Sequence, residues 1–495
     1  MVPIAEFLAA VLLYELFRWR ILGLLRERWQ RSISQFLRRH GVALEHFRFI
    51  DRLWVRETLL QDPELGRYAA EVAARGGTTM ADVRRRIERY LDEIVPYFNI
   101  FSYYKLGAAA ARAATRFCYE LVFDEPGLEA ARAQVPDGAV VVYVANHRSN
   151  ADYVVLSVGA LRQVALSYAV GEWALVWPLD VLFRSFGSYF VRRGEKDPLY
   201  HAVLERYLQL VASRGLTTAF FLEGGLSRDG ALRVPRVGLL DYLIGILRSE
   251  PDRVIVFLPV GINYDRVLED RNLLGSAKAP GIGGKLLSML GLLLRFPVLV
   301  AAVFTRAALR SHRKYGYAAV DFGPPVRLSE LLPDPVAVAN LPRRERLPQV
   351  AVLADALLDR VAATIPATPI PLVCRALLSG ARDLGDVRRA TREEIVVARA
   401  VGRPLAFGVA FAGVRHAQRH LGGEQGDKAH LDADVTAAEE AERTVDLALL
   451  LMRRRRLVQI RDGRVVVPEA SLPLLSYYAR SLDPPRHRAA ERAGG

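Results

Sequence analysis

The stretch Val140-Val141-Val142-Tyr143-Val144-Ala145-Asn146-His147-Arg148-Ser149-Asn150-Ala151-Asp152 carries the strongest structural signal in the sequence. Its first six residues are β-branched, aromatic or small and apolar, which predicts a buried strand. Residues 151–161 have the pattern of a helix, and Ser149 or Asn150 is placed to cap it. His147 is therefore predicted in a strand-to-helix turn, with Asp152 in or near the first helical turn.

His147 and Asp152 are close enough in sequence for the carboxylate to fold back onto the imidazole ring. A carboxylate in this position can fix the tautomer of the ring and stabilise the cation that forms when the ring takes a proton. The pair thus predicts a general base that deprotonates an alcohol. Taken alone, a turn histidine beside a helix-capping aspartate is an equally good interpretation.

Strand-like and helical segments alternate in the middle of the chain. Strands are predicted at 140–145, 165–170, 189–191, 217–222, 254–260 and 318–322. This alternation predicts an α/β fold, with a mixed, largely parallel sheet covered by helices.

Helical patterns dominate on both sides of this region. We predict helices at 80–95, 108–123 and 472–482, a turn at 124–127, a hairpin at 457–467 and a linker at 422–434. The resulting division has a helical N-terminal domain at 1–105, an α/β domain at 106–370 and a mainly helical C-terminal domain at 371–495.

Charge and apolar runs suggest partners without choosing among them. The chain has 495 residues and a net charge of +14, supplied mostly by arginine, which favours anionic lipid, nucleotide-containing donors or nucleic acid. Residues 4–17 predict a membrane-surface helix or a bundle helix. Residues 286–304 predict a membrane-dipping segment or a buried hairpin with equal weight. Cys118 and Cys374 make no zinc pattern and are predicted as ordinary core residues of a protein in a reducing compartment.

Three further segments have the residue types of a ligand site. Residues 187–193 predict a short strand that opens with a glycine and ends in Arg192 and Arg193. The two arginines could form a fork around a phosphate, or they could be a solvated basic edge. Residues 220–233 deliver Glu223 at a strand end, followed by two glycines and two arginines: Gly224, Gly225, Arg228 and Arg233. Glycines let backbone approach a phosphate closely, whereas a strand loop with a surface ion pair is the alternative.

Glu223 could bond an acceptor hydroxyl or hold Arg228 in place. The third segment is 258–265, which ends the strand at 254–260. Pro259 and Gly261 in it predict a tight turn beside a pocket, or a plain strand end.

In this order, the four segments resemble the motif blocks of the glycerolipid acyltransferases, specifically the glycerol-3-phosphate and dihydroxyacetone-phosphate branch. That family has an Asn-His-x4-Asp block, a Gly-x-Phe-Phe-Ile-Arg-Arg block, a Phe-x-Glu-Gly-Gly-Arg-Ser-Arg block and a proline-containing strand. The likeness covers residues 140–265. Leu226 replaces the first arginine of the third block. If that arginine binds phosphate in the family, this chain lacks one phosphate ligand, or Arg233 or Arg193 takes its place.

The resemblance implies transfer of a fatty acyl group from acyl-CoA or acyl-carrier protein to the sn-1 hydroxyl of glycerol 3-phosphate, in phospholipid biosynthesis. His147 would be the general base and Asp152 would orient it. The implied substrate-binding residues are Arg192, Arg193, Glu223, Gly224, Gly225, Arg228, Arg233 and Pro259. Backbone amides near Gly224 or the start of the helix at 151 are candidate donors to the oxyanion.

No metal or cofactor is implied. An anionic membrane surface is expected as a partner and nucleic acid is not. We expect the chain to be peripheral or monotopic on the cytoplasmic face of the cytoplasmic membrane.

Several other functions stay open at this point. Within the family, the acceptor could be dihydroxyacetone phosphate or lysophosphatidate. A serine hydrolase is a second class, because Gly225-Leu226-Ser227-Arg228-Asp229 nearly makes a nucleophile elbow but lacks the closing glycine. A non-catalytic basic binder of membrane or nucleic acid is a third, suggested by the arginines at 453–456.

Overall fold

The structure is a computed structural model that describes residues 52–96, 113, 115–160, 167–171, 183–184, 188–192, 194–275, 314–406 and 437–487. The apolar segments at 4–17 and 286–304, the predicted linker at 422–434 and Arg193 lie outside these residues. Among the helices that the structure describes, none combines the length and the apolar character needed to cross a membrane.

Within the described residues, eight strands form one sheet. They are β1 Glu120–Phe123, β2 Val140–Ala145, β3 Ser167–Gly171, β4 Tyr189–Val191, β5 Thr218–Phe221, β6 Ile255–Tyr264, β7 Tyr317–Phe322 and β8 Val326–Arg327. Their order is β1-β7-β6-β2-β5-β3-β4, and β8 also pairs with β6. Strands β6, β2, β5, β3 and β4 are mutually parallel, whereas β7 and β8 run antiparallel to β6. The predicted mixed, largely parallel sheet is confirmed.

Helices surround this sheet. They are α1 Arg52–Leu60, α2 Pro63–Gly76, α3 Met80–Ile94, α4 Glu125–Ala133, α5 Asp152–Ala160, α6 Pro198–Ser213, α7 Gly238–Ile244, α8 Asp270–Gly275, α9 Leu328–Leu331, α10 Pro335–Asn340, α11 Arg343–Thr364, α12 Pro369–Leu378, α13 Leu384–Ala400, α14 Ala437–Arg454 and α15 Leu472–Ala479. The predicted hairpin forms from β9 Gln459–Arg461 and β10 Arg464–Val466.

The core lies on both faces of the sheet, because successive strand residues point to opposite sides. In β2, Tyr143 packs in a cluster that includes α12, α14 and α15. Val142 packs in a second cluster with α7 and α11. Helices α1 to α3 pack on α6 in a third. The first cluster crosses residue 370, so the sheet and the C-terminal helices share a core, and the division into three domains stays a prediction.

The helix predicted at 108–123 is wrong at its C-terminal end, although residues 115–118 are helical. Residues 120–123 instead form β1, which pairs in parallel with β7. This pairing is invisible in a local window because β7 is remote in sequence. The turn predicted at 124–127 is also wrong, because α4 begins there. Asp124 accepts a hydrogen bond from the Gly127 N–H at 3.0 Å and caps that helix.

The turn predicted at Pro259 is wrong as well, because β6 continues to Tyr264. Proline has no N–H to donate, so it is rare in a central strand. Here, Pro259 lies between the residues of β6 that pair with β8 and those that pair with β7. Its carbonyl oxygen accepts a hydrogen bond from the Gly323 N–H at 3.0 Å.

Candidate active site

The candidate site lies at one edge of the sheet. Strands β2, β4, β5 and β6 are parallel, so their carboxyl ends meet at that edge, where open α/β sheets bind ligands. His147 follows β2, Arg192 follows β4 and Glu223 follows β5.

His147 is almost completely buried, with 1% of its surface exposed. Its Nδ1 lies 2.9 Å from Oδ2 of Asp152. A carboxylate only accepts hydrogen bonds, so Nδ1 of the neutral ring carries the proton and Nε2 carries the lone pair. The ring stacks on Phe221, with centroids 3.9 Å apart and planes 7° apart. The fold-back of Asp152 onto the ring, predicted from their spacing, is present.

Asp152 is fully buried and bonded through both oxygens. Besides the ring, Oδ2 accepts hydrogen bonds from the backbone N–H groups of Arg148, at 2.7 Å, and Ser149, at 3.0 Å. Oδ1 accepts a hydrogen bond from the Tyr264 hydroxyl at 2.6 Å. The sequence analysis did not single out Tyr264, although the residue lies in the fourth block.

Two side chains fasten the loop of His147 to neighbouring strands. The Asn146 amide bonds both backbone groups of Ile262, at 2.8 and 2.9 Å. Glu223 accepts hydrogen bonds from the backbone N–H groups of His147, at 2.7 Å, and Arg233, at 2.9 Å. Burial raises the pKa of Glu223 to about 7. Both of its oxygens thus bond backbone N–H groups, and the predicted contact with Arg228 is not among the hydrogen bonds of the described residues.

Ser227 has the contacts of a turn residue. Its Oγ donates to the Ala231 carbonyl at 2.7 Å and accepts from the Gly230 N–H at 3.1 Å. Its backbone N–H donates to the His147 carbonyl at 3.0 Å. The hydroxyl proton of a triad serine points to an imidazole, whereas the Ser227 proton is directed to a carbonyl. The serine-hydrolase interpretation gains no support from this geometry.

A cavity of about 500 Å³ opens beside His147, a volume typical of small-ligand sites. Its walls are mainly apolar, as at Val170, Phe220 and Leu239. Such walls suit a hydrocarbon chain, because contact between the chain and the walls removes apolar surface from water, which is favourable.

The residues that line the cavity include two arginines, Arg192 and Arg236. His201 also lines it, with Nδ1 2.8 Å from the Tyr242 hydroxyl oxygen and Nε2 2.8 Å from the Glu195 carbonyl oxygen. Neither Arg236 nor His201 was predicted from the sequence. The first lies just beyond the third block and the second lies in α6, away from any motif.

Arg192 is already held by carboxylates. Its Nε and Nη2 donate to Glu93, at 2.7 and 2.5 Å, and its Nη1 donates to Glu195 at 3.0 Å. The Glu93 carboxylate raises the pKa of Arg192 well above its usual range. Of the two arginines in the predicted phosphate fork, Arg192 is thus a charge-compensated cation at the cavity wall, and Arg193 lies outside the described residues.

The remaining predicted ligands are spread over the loop after β5 and over β6. Arg228 is exposed and is not among the cavity residues, and neither are Arg233 and Pro259. One Nη of Arg233 donates to the Leu226 carbonyl at 3.3 Å, so this guanidinium group lies beside the residue that replaces the family arginine.

The two glycines after Glu223 differ in their surroundings. Gly224 lines the cavity with φ of +62°, and a Cβ there would lie 2.7 Å from Cγ of Arg236. Gly225 is buried. The backbone N–H of Gly224 donates to the Phe221 carbonyl, and that of Ala151 donates to Ser149 Oγ. These two amides are therefore already bonded, and the donors to the oxyanion stay a prediction.

Comparisons with known proteins agree with the motif order. The family model described as "Acyltransferase" matches residues 129–263. The model described as "Glycerol-3-phosphate acyltransferase C-terminal region" matches residues 301–445.

Curated relatives named "Glycerol-3-phosphate acyltransferase" include one from Aeromonas hydrophila, 30% identical over 63% of this chain and 38% of its own length. Another, from Shewanella oneidensis, is 29% identical over 65% of this chain and 39% of its own length. The matches thus span less than half the length of these relatives. A solved structure of a 1-acyl-sn-glycerophosphate acyltransferase from Thermotoga maritima is 16% identical, with a TM-score of 0.29 over 61% of this chain and 93% of that one. A TM-score this low supports no conclusion about the fold or the function of this chain.

Proposed function

We propose that this chain transfers a fatty acyl group from a thioester to the sn-1 hydroxyl of glycerol 3-phosphate. The proposal rests on the similarity to the glycerol-3-phosphate acyltransferases, which the motifs, the family models and the curated relatives all indicate. One observation carries the proposal for the chemistry. His147, with Nδ1 bonded to a buried aspartate, lines a mainly apolar cavity whose lining residues also include Arg192 and Arg236.

In the proposed reaction, Nε2 of His147 takes the hydroxyl proton of glycerol 3-phosphate. The alkoxide oxygen forms a bond to the thioester carbonyl carbon, and the carbon–sulfur bond then breaks. The thiolate leaves with the proton from the imidazolium ring. Asp152 stabilises that cation and holds the ring in one tautomer. A covalent enzyme intermediate is not needed, because the thioester is already activated.

We assign the acceptor phosphate to Arg236, with Arg192 as a second cation at the cavity wall. A guanidinium group forms two parallel hydrogen bonds to a phosphate. Arg236 is exposed and lines the cavity, so it can reach an entering ligand. The apolar wall would hold the start of the acyl chain, and Glu223 would keep the His147 loop against β5. Binding beside His147 replaces a bimolecular encounter by a reaction within one complex.

The acyl donor is proposed to be acyl-CoA or acyl-carrier protein. We also propose peripheral attachment to the cytoplasmic face of an anionic membrane, because the net charge is +14 and the product is amphipathic.

The test measures thioester consumption by the wild type and by His147→Ala. Glycerol 3-phosphate, dihydroxyacetone phosphate and lysophosphatidate are supplied separately, each with acyl-CoA and with acyl-carrier protein. Activity on glycerol 3-phosphate that disappears in the variant supports the proposal. Activity only on another acceptor replaces the proposed substrate, and activity that survives without His147 excludes the proposed mechanism.

A further inference from the structure

The carboxylate of Asp152 is shared between two side chains. His147 bonds Oδ2, and Tyr264, the last residue of β6, bonds Oδ1 through its hydroxyl at 2.6 Å. Tyr264 is completely buried and is not among the residues that line the cavity. Its hydroxyl therefore acts on the site through Asp152 and does not touch a substrate.

The hydroxyl of Tyr264 is held in this position from several sides. Its ring packs against Tyr119, with centroids 5.4 Å apart. The Asn146 amide ties the His147 loop to Ile262, two residues before Tyr264, so loop and strand are joined in register. Burial also raises the pKa of Tyr264 well above its usual range, so the group remains a donor.

A single hydrogen bond to the ring leaves the carboxylate of an aspartate poorly fixed, because its terminal torsion is broad and roughly two-fold. The backbone N–H groups of Arg148 and Ser149 bond only Oδ2, the oxygen that meets the ring. Among the hydrogen bonds of the described residues, the Tyr264 hydroxyl is what holds Oδ1. A bond at this second oxygen sets the plane of the carboxylate and with it the direction of Oδ2.

We propose that Tyr264 is a positioning residue that sets the plane of the Asp152 carboxylate, so that Oδ2 holds Nδ1 of His147 and Nε2 faces the cavity. The inference rests on the proposed role of His147 as general base. It extends the pair found from sequence to a chain of three side chains from β6, α5 and the loop after β2.

The test compares Tyr264→Phe with Tyr119→Phe. The second variant is a matched control because Tyr119 is also buried, packs on the same ring and donates its hydroxyl to the Arg266 carbonyl at 2.7 Å. We expect Tyr264→Phe to lower kcat by about tenfold to a hundredfold, the effect of losing a hydrogen bond to a charged group, with KM little changed. Tyr119→Phe should keep the wild-type kcat. Wild-type kcat in Tyr264→Phe overturns the proposal, and so does an equal loss in both variants.

A second measurement does not depend on turnover. In protein labelled with 15N-histidine, the Nδ1 resonance of His147, identified by its loss in His147→Gln, should shift in Tyr264→Phe and stay unchanged in Tyr119→Phe. An unshifted Nδ1 resonance overturns the inference, whether or not the wild type is active. If the wild type is inactive on every acceptor, that result refutes only the proposed function.

A double-mutant cycle with Asp152→Asn separates positioning from general stability. If Tyr264 acts through Asp152, its removal should cost much less activity in the Asp152→Asn background. Additive losses overturn the proposal. Thermal unfolding of all variants shows whether the comparison is made between folded proteins.

Discussion

Two loops leave adjacent strands at the same edge of the sheet, yet they differ in how far their basic side chains are exposed. In the loop after β2, His147, Arg148 and Ser149 are each at most 3% exposed. Their hydrogen-bond partners are other protein groups, as with Arg148 Nη1 and the Gly230 carbonyl at 2.7 Å. In the loop after β5, Glu223 and Ser227 are also buried, but the basic side chains of Arg228 and Arg236 are exposed.

The difference matches two physical tasks. Proton transfer requires a base that stays in one geometry, and buried hydrogen bonds provide it because breaking them leaves unsatisfied groups. Binding a charged ligand requires a cation that can exchange water for the ligand, which an exposed guanidinium group can do. We therefore expect substitutions in the first loop to change kcat, and those in the second to change KM.

The largest expected effect is that of His147→Gln in the first loop. It removes the only group assigned to proton transfer, so we expect kcat to fall by about a hundredfold to ten-thousandfold. Thioester assays measure the loss. His487→Gln is the control, since His487 pairs with Asp359 of α11 and is not among the residues that line the cavity. If KM rises instead of kcat falling, the assignment of the two tasks is reversed.

Glu223→Gln unlinks the loops, because Glu223 bonds the backbone of both. The amide NH₂ would face a backbone N–H, so we expect a loss of about 1–3 kcal/mol in the free energy of unfolding. A carboxyl with a pKa raised from 4.5 to about 7 contributes stability below pH 4.5 that is lost as pH rises through 7.

The free energy of unfolding in urea should therefore be higher for the wild type than for Glu223→Gln, and the difference should be larger at pH 5 than at pH 8. The exposed Glu442, in α14, gives the control variant Glu442→Gln. An identical gap at both pH values would contradict the raised pKa of Glu223.

Arg236→Ala and Arg228→Ala compare two cations within the second loop. Arg236 lines the cavity, so its loss should raise KM for the acceptor by about tenfold, as expected for a lost charge-assisted hydrogen bond. Arg228→Ala should leave both constants near their wild-type values. Initial rates over a range of acceptor concentrations separate the two constants. A larger effect of Arg228→Ala would restore the interpretation based on family motifs.

Gly224→Ala should have the smallest effect. Its φ of +62° costs a residue with a Cβ about 1 kcal/mol, and the new Cβ would displace the flexible Arg236 side chain. We expect a small fall in melting temperature and a rise in KM for the acceptor. Gly66→Ala, in α2 with open space around it, should not lower the melting temperature. An unchanged KM in Gly224→Ala would mean that Arg236 does not need this space.

Sequence patterns succeeded where the interactions are local. The strand at 189–191 and the helix start at Thr79 have the predicted positions, because strand propensity and capping involve neighbouring residues. The contact between His147 and Asp152 also follows from local geometry, since the two residues are separated by a single turn at the start of α5. The order of the four motif blocks indicated the similarity that the family models also find.

Only the tertiary structure decided which groups complete the site. Tyr264 reaches Asp152 across 112 positions of sequence, and Glu93 reaches Arg192 across 99. Similarly, β1 pairs with a strand that no local window contains. The sequence by itself therefore determined the fold class, the contact between His147 and Asp152 and the resemblance to the acyltransferases. The contact between Tyr264 and Asp152 depends on strand order, because parallel pairing brings the ends of remote strands to one edge. The charge compensation of Arg192 by Glu93, a residue of α3, and the place of Arg236 at the cavity are likewise visible only in the folded chain.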